Sequence, residues 1–87
     1  MKTIVFDENS MNWTNNPDLN IEYLKAKRAC IFAMFDLRGY MYLNQIYENF
    51  GINWNTRLVN CLYLATTGPL VIRYEPVEDG RILIHVS

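Results

Sequence analysis

Asn16-Pro17-Asp18-Leu19-Asn20-Ile21-Glu22-Tyr23-Leu24-Lys25-Ala26-Lys27-Arg28-Ala29-Cys30-Ile31-Phe32-Ala33-Met34-Phe35-Asp36-Leu37-Arg38-Gly39 is the stretch on which the fold turns. Asn16 suits an N-cap, because its side-chain oxygen can accept from the free N–H groups of a first helical turn. Pro17 then falls at the first helical position, where a missing N–H costs nothing. Asp18 and Glu22 sit in or near the first turns, where the helix dipole favours negative charge. Tyr23, Ala26, Cys30, Ala33 and Leu37 recur at helical spacing, and Leu24, Ile31 and Phe35 form a second stripe. Two stripes predict a helix buried on a wide face, the central helix of the domain. Arg38 places a cation in the last turn, and Gly39 supplies the left-handed cap that ends the helix.

On the N-terminal side, Lys2 to Phe6 is β-rich and short, an edge strand or an ordered arm. Asp7 to Asn20 holds five asparagines, Ser10 and Pro17. Such side chains compete with regular backbone hydrogen bonding, so a loop is expected there. Trp13 lies within it and is too large an apolar surface to leave in water, so it should pin the loop to the body.

On the C-terminal side, Tyr40-Met41-Tyr42 can form a very short strand. Leu43 to Phe50 reads as a second helix, with Leu43, Ile46, Tyr47 and Phe50 on one face and Gly51 closing it. Ile52 is placed for the hydrophobic contact that follows such a cap. Asn53 or Asn55 then caps an expected third helix running to about Ala65, on the helical spacing of Trp54, Leu58, Cys61, Leu62 and Ala65. Leu58 to Ala65 is apolar enough to serve as a buried strand as well. Gly68-Pro69 breaks the chain. Leu70 to Glu75 and Arg81 to Val86 alternate in strand fashion, and Asp79-Gly80 between them is a hairpin signal.

The expected fold is a single α+β domain over residues 1–87. Its parts are a strand or arm and Asn-rich loop (1–19), a helical part (20–66) with a long central helix and two shorter ones, and a C-terminal β-hairpin (67–87). That order is also the order of a winged helix-turn-helix. Two residues disturb the match: Arg57 stands where an apolar residue is usual, and Asn60 interrupts the core phase.

With 87 residues there is room for one hydrophobic core. A hydrophobic fraction of 51% with 20% charged residues excludes a disordered chain. Eight Lys and Arg against nine Asp and Glu leave a net charge of −1. The one tight basic cluster, Lys25, Lys27 and Arg28, has Asp18, Glu22 and Asp36 beside it, which counts against nucleic acid as a partner. The longest apolar run, Ala29 to Phe35, is far short of the roughly twenty residues that a membrane span needs. Met1-Lys2-Thr3 leads through Ile4-Val5-Phe6 into Asp7-Glu8, too short for a secretory h-region. Two cysteines 31 residues apart are not a disulfide framework. A cytoplasmic protein with both thiols reduced and packed is the expectation.

Leu37 to Ile52 resembles a family of short, uncharacterised proteins encoded by phages and prophages. Its members share the stretch R-G-x-[hydrophobic]-[aromatic]-L-N-[EQ]-[VI]-Y-[DE]-x-x-G after a long helix. Arg38, Gly39, Leu43, Asn44, Tyr47 and Gly51 match it, and Asn53 to Thr56 is similar to a threonine-bearing turn that follows. The resemblance covers about half the chain, roughly Asn20 to Thr56, and ends where Leu62-Tyr63-Leu64 replaces a glycine-tryptophan segment. It implies a phage or mobile-element origin and assigns no catalytic residue.

No constellation of residues points to an enzyme. His85, the sole histidine, has no sequence-local acid or nucleophile for general base work. Cys30, Cys61 and His85 could supply three metal ligands, but both cysteines fall on apolar faces and read as core, so no metal is expected. Glu75, Glu78 and Asp79 cluster at the hairpin tip, where they keep a turn in water and would repel phosphate. The four glycines are isolated caps and turns, with no phosphate-cradling loop and no cofactor implied. Asn44 can hydrogen-bond backbone at the start of the second helix. The candidate interaction surface comprises Arg38, Asn44, Trp54, Arg57 and Tyr63. Richness in aromatics (six Tyr, four Phe, two Trp) points to contacts with protein, a partner or a second copy of the chain. A winged-helix DNA regulator is the alternative.

Overall fold

The computed structural model describes residues 2–54 and 61–87. Among them are five strands and two α-helices: β1 (Lys2–Phe6), α1 (Pro17–Arg38), β2 (Tyr40–Tyr42), α2 (Leu43–Phe50), β3 (Leu62–Leu64), β4 (Ile72–Pro76) and β5 (Ile82–Val86), with a single 3-10 turn at Ala65–Thr67 after β3. The architecture is mixed α+β, with two antiparallel sheets. The first has the order β1-β5-β4, so the last strand is central and the first is an edge; the second is the ribbon β2-β3.

Alternation along the three-stranded sheet separates its faces. Ile4, Phe6, Ile72, Ile82, Ile84 and Val86 point inward and are buried, and register aligns Ile4, Ile84 and Tyr74 across the three strands. Each large apolar side chain so buried is worth about 1.5–3 kcal/mol. The hairpin turn is closed by Val77 N–H donating to Arg81 O at 2.9 Å and Gly80 N–H donating to Val77 O at 3.1 Å. Gly80 is there at φ 88°, the left-handed region that glycine enters without penalty.

The start of α1 follows the sequence reading. Asn16 Oδ1 accepts from the N–H groups of Asp18 (3.0 Å) and Leu19 (3.3 Å). Gly39, at φ 78°, ends the helix with its N–H donating to Phe35 O. The buried face is narrower than the sequence suggests. Only the Leu24, Ile31 and Phe35 stripe, with Asn20, is buried; Ala26, Cys30, Ala33 and Leu37 are exposed on the opposite side. A helix seated on one sheet, with a second helix at its flank, meets the core along one stripe, and here the larger side chains fill it. Cys30 is therefore exposed rather than packed, and Cys61 is half-buried.

Two long side chains tie α1 to the sheet. Tyr74 Oη donates to Leu24 O at 2.6 Å, and Arg28 stacks its guanidinium 4.8 Å from the Tyr74 ring centroid while donating to Ile72 O at 3.3 Å. Trp13 holds the Asn-rich loop down, its ring 5.6 Å from that of Phe6. The loop has a second anchor that composition does not signal, Asn20, 1% exposed. Its Oδ1 accepts from Thr14 N–H (2.9 Å) and Thr14 Oγ1 (2.8 Å), and its Nδ2 donates to Thr14 O (3.0 Å).

The expected third helix does not extend to Ala65. Leu62–Leu64 is a strand, followed by the 3-10 turn, so the 20–66 segment is not helical throughout and the winged-helix order is interrupted here. Cross-strand pairing with Tyr40–Tyr42 decides the outcome, because it satisfies backbone groups that β2 would otherwise leave open. The part of that expectation falling on residues 55–60 lies outside the described residues.

Candidate protein-contact surface

The β2-β3 ribbon arises from two chain reversals. Gly39 turns the chain from α1 directly into Tyr40-Met41-Tyr42, and α2 begins at the next residue. Leu43 N–H donates to Cys61 O at 2.8 Å and Ala65 N–H donates to Gly39 O at 3.0 Å, so the ladder closes at both ends. The register pairs Tyr40 with Leu64, Met41 with Tyr63 and Tyr42 with Leu62.

Alternation then sorts the six side chains. Met41 is fully buried and Tyr63 half-buried, packed on the core. Burial pushes the Tyr63 phenol above its usual range, helped by Cys61 and Tyr47. Tyr40, Tyr42, Leu62 and Leu64 face out, each between 37% and 44% exposed. With hydrogen-bonded pairs at 39/65, 41/63 and 43/61, both outward pairs are the non-hydrogen-bonded kind, in which facing side chains stand closest. Four large apolar side chains thus form one continuous square. The Tyr40 and Tyr42 rings meet edge to face at 6.1 Å, and the Arg38 guanidinium lies 5.4 Å from the Tyr40 centroid at the rim.

The sequence-nominated residues divide around this square. Arg38 belongs to it as a rim cation. Tyr63 is on the opposite, inward face of the same ribbon. Trp54 stands apart, its indole N–H donating to Glu48 Oε1 at 3.0 Å. With Met11, Gly51, Ile52 and Asn53 it lines a shallow open cleft of about 240 Å³, below the roughly 300 Å³ at which small-molecule pockets begin. Asn44 is half-buried in the first turn of α2 and does not cap it; Gln45 does, its Oε1 accepting from Tyr42 N–H at 3.0 Å. Arg57 lies outside the described residues. Sequence reading missed Leu62, Leu64, Tyr40 and Tyr42 as a unit. The signal was present in the matched alternation of Tyr-Met-Tyr and Leu-Tyr-Leu.

The fold gives His85 partners that sequence separation conceals. On the outer face of the three-stranded sheet its Nδ1 lies 3.1 Å from Thr3 Oγ1 and its Nε2 lies 2.9 Å from Glu75 Oε1. Hydroxyl, imidazole and carboxylate stand in the order of an activated nucleophile. The Glu75 side chain is 60% exposed, however, and such a relay depends on excluding water. What the geometry achieves is a polar tie across β1, β5 and β4. Among the described residues no three His, Cys, Asp or Glu side chains approach closely enough to hold a metal ion, and no helix is long and apolar enough to cross a membrane.

Compared with protein-family models, with curated proteins and with solved structures, the chain matches none of them.

Proposed function

We propose that this chain is a small, non-enzymatic binding module that works through protein–protein contacts, and that the Tyr40/Tyr42/Leu62/Leu64 square is its principal contact surface. The observation carrying this reading is the burial pattern of the ribbon. A two-stranded ribbon is marginal by itself, yet this one turns four of its six large apolar side chains to water. Tyrosine with a rim arginine is the composition enriched in interface hot spots. The surface is also preorganised, since Met41 and Tyr63 anchor its back to the core, so little rotamer freedom remains to be lost on binding. The likeness of Leu37 to Ile52 to phage and prophage proteins supports an accessory role in a phage or mobile element, in the host cytoplasm or on the virion.

Site-specific photo-crosslinking in the source cell tests the proposal. A photoreactive phenylalanine analogue at Tyr42 or at Leu64 should give a discrete protein adduct, and the same analogue at Lys25 or Glu78 should not. Adducts equal in yield and pattern at all four positions, or none at any, would refute the assignment.

A further inference from the structure

Each outer strand of the three-stranded sheet turns half of its backbone groups away from β5, and the register shows which ones. Ser87 and Val71 exchange two N–H···O=C bonds at 2.9 Å, and Val77 N–H donates to Arg81 O at 2.9 Å. Ser87, His85, Leu83 and Arg81 therefore bond toward β4, and Val86, Ile84 and Ile82 toward β1. On β1 their partners are Lys2, Ile4 and Phe6, which leaves the N–H and C=O of Thr3 and Val5 on the outer edge. On β4 the outer-edge residues are Ile72, Tyr74 and Pro76.

The two edges differ in how they are guarded. At β4, Pro76 has no N–H to offer, and Ile72 O accepts from the Arg28 guanidinium at 3.3 Å. Tyr74 Oη, donating to Leu24 O, fastens α1 to the same strand. Proline and a covering helix close an edge to further strands. At β1 neither is present. Among the described residues no hydrogen bond reaches the Thr3 or Val5 backbone from that side, and no element besides β5 runs along the strand. Lys2, the one charge on β1, stands at its end and not in its middle. The open stretch stops at Asp7, whose N–H donates to Ser10 Oγ at 3.1 Å and whose carbonyl accepts from Ser10 N–H at 2.9 Å. It is also held in place, because the Thr3–His85–Glu75 tie fixes β1 to β5 and β4. Little freedom remains to be lost when a partner strand arrives.

Two open residues separated by one are self-complementary. Turned antiparallel about a two-fold axis at Ile4, Thr3 of each copy faces Val5 of the other, and each such pair exchanges two N–H···O=C bonds. Charge selects the same orientation. Lys2 opens the strand and Asp7-Glu8 follow it, so antiparallel copies bring the cation of each to the acids of the other, whereas parallel copies align like charges. These exposed charges choose the orientation and add little affinity.

We infer that the chain forms a two-fold dimer by antiparallel pairing of β1 with β1 of a second copy, joining two three-stranded sheets into one of order β4-β5-β1-β1-β5-β4. The contact is isologous, and the guarded β4 edges end the new sheet, so assembly stops at two. It is separate from the ribbon surface of the preceding section.

Amide hydrogen exchange by NMR at about 50 µM and about 1 mM, concentrations that bracket a weak dimer, reads the pairing directly. Ile4 and Phe6 N–H, bonded to β5, should be protected at both. Thr3 and Val5 N–H should exchange freely at the lower concentration and be slowed several-fold at the higher. Sedimentation equilibrium over the same range should show the apparent mass rising from 10.3 kDa toward twice that value. Val5→Pro removes an edge N–H that bonds nothing in the single chain, so it should keep its circular dichroism and stay monomeric, and Tyr42→Asp should dimerise normally. Should Val5→Pro not fold, exchange in the unaltered chain decides by itself. A mass of 10.3 kDa at every concentration would overturn the inference. So would a dimer in which Thr3 and Val5 exchange independently of concentration, or one that survives in folded Val5→Pro. Loss of the dimer in Tyr42→Asp alone would place the self-contact on the ribbon instead.

Discussion

Replacing Asn20 by alanine should loosen the whole N-terminal loop. The side chain is buried and makes three hydrogen bonds, all to Thr14, between 2.8 and 3.0 Å. A neutral intramolecular hydrogen bond contributes about 0.5–1.5 kcal/mol net, so three bound the loss at about 1.5–4.5 kcal/mol. Thr14 is exposed, and its freed backbone and hydroxyl groups can turn to water, which places the expected cost in the lower half, at about 2–3 kcal/mol. For a domain of this size that lowers Tm by about 10–20 °C. Urea unfolding followed by tryptophan fluorescence is the assay, because Trp13 belongs to the loop and loses its Phe6 contact when the clamp opens. Asn20→Asp is the informative companion. Its carboxylate keeps the acceptor for Thr14 N–H but sets a charge against Thr14 O where Nδ2 had donated, so it should be at least as destabilising at neutral pH and should recover in part on acidification. An Asn20→Ala protein within about 0.5 kcal/mol of the unaltered chain, the range of an ordinary surface substitution, would refute the clamp.

Gly51→Ala should destabilise by about 1–3 kcal/mol in the same assay, because Gly51 is at φ 70° and an added Cβ would lie 2.9 Å from Asn12 Nδ2 and 3.2 Å from Tyr23 Oη. A neutral result would mean that the Met11–Asn12 segment is not seated there. Tyr74, its phenol pushed up to about 12 by burial, holds its proton more tightly folded than unfolded. The contribution of Tyr74 to stability should therefore be constant below pH 10 and fall as pH rises from about 10 to about 12, and Tyr74→Phe should reduce that alkaline slope in pH-dependent urea midpoints. Titration with random duplex DNA should give weak binding at low salt that vanishes at moderate salt, since eight basic residues are outnumbered by nine acidic ones; micromolar affinity at physiological salt would contradict this.

What was legible in the sequence was whatever local chemistry determines. The caps of α1 at Asn16 and Gly39, the face of α2, the hairpin turn at Asp79-Gly80 and the anchoring by Trp13 all rest on residues within a few positions of one another. Two features were hidden because their causes are distant. Leu62-Tyr63-Leu64 fits a helical period as well as a strand, and only pairing with Tyr40–Tyr42, some 20 residues earlier, selects the strand. The two stripes of α1 are similarly apolar in sequence. Which one is buried follows from where β1, β4 and β5 lie, and β1 and β5 come from opposite ends of the chain. For the candidate surface, Arg38 was found through its motif, whereas the square it borders exists only after β2 and β3 pair. His85 shows the same limit: Thr3, 82 positions away, becomes its neighbour through the β1-β5 register.

The claim on which the functional reading stands is that β3 pairs with β2 and turns Tyr40, Tyr42, Leu62 and Leu64 outward together. Nuclear Overhauser spectroscopy on isotope-labelled protein tests it most directly. Strong Hα–Hα cross-peaks are expected for the non-hydrogen-bonded pairs Tyr40–Leu64 and Tyr42–Leu62, as closely facing antiparallel residues require. Medium-range helical connectivities from Cys61 to Leu64, with no Hα–Hα contact to Tyr40 or Tyr42, would contradict it and dissolve the proposed surface.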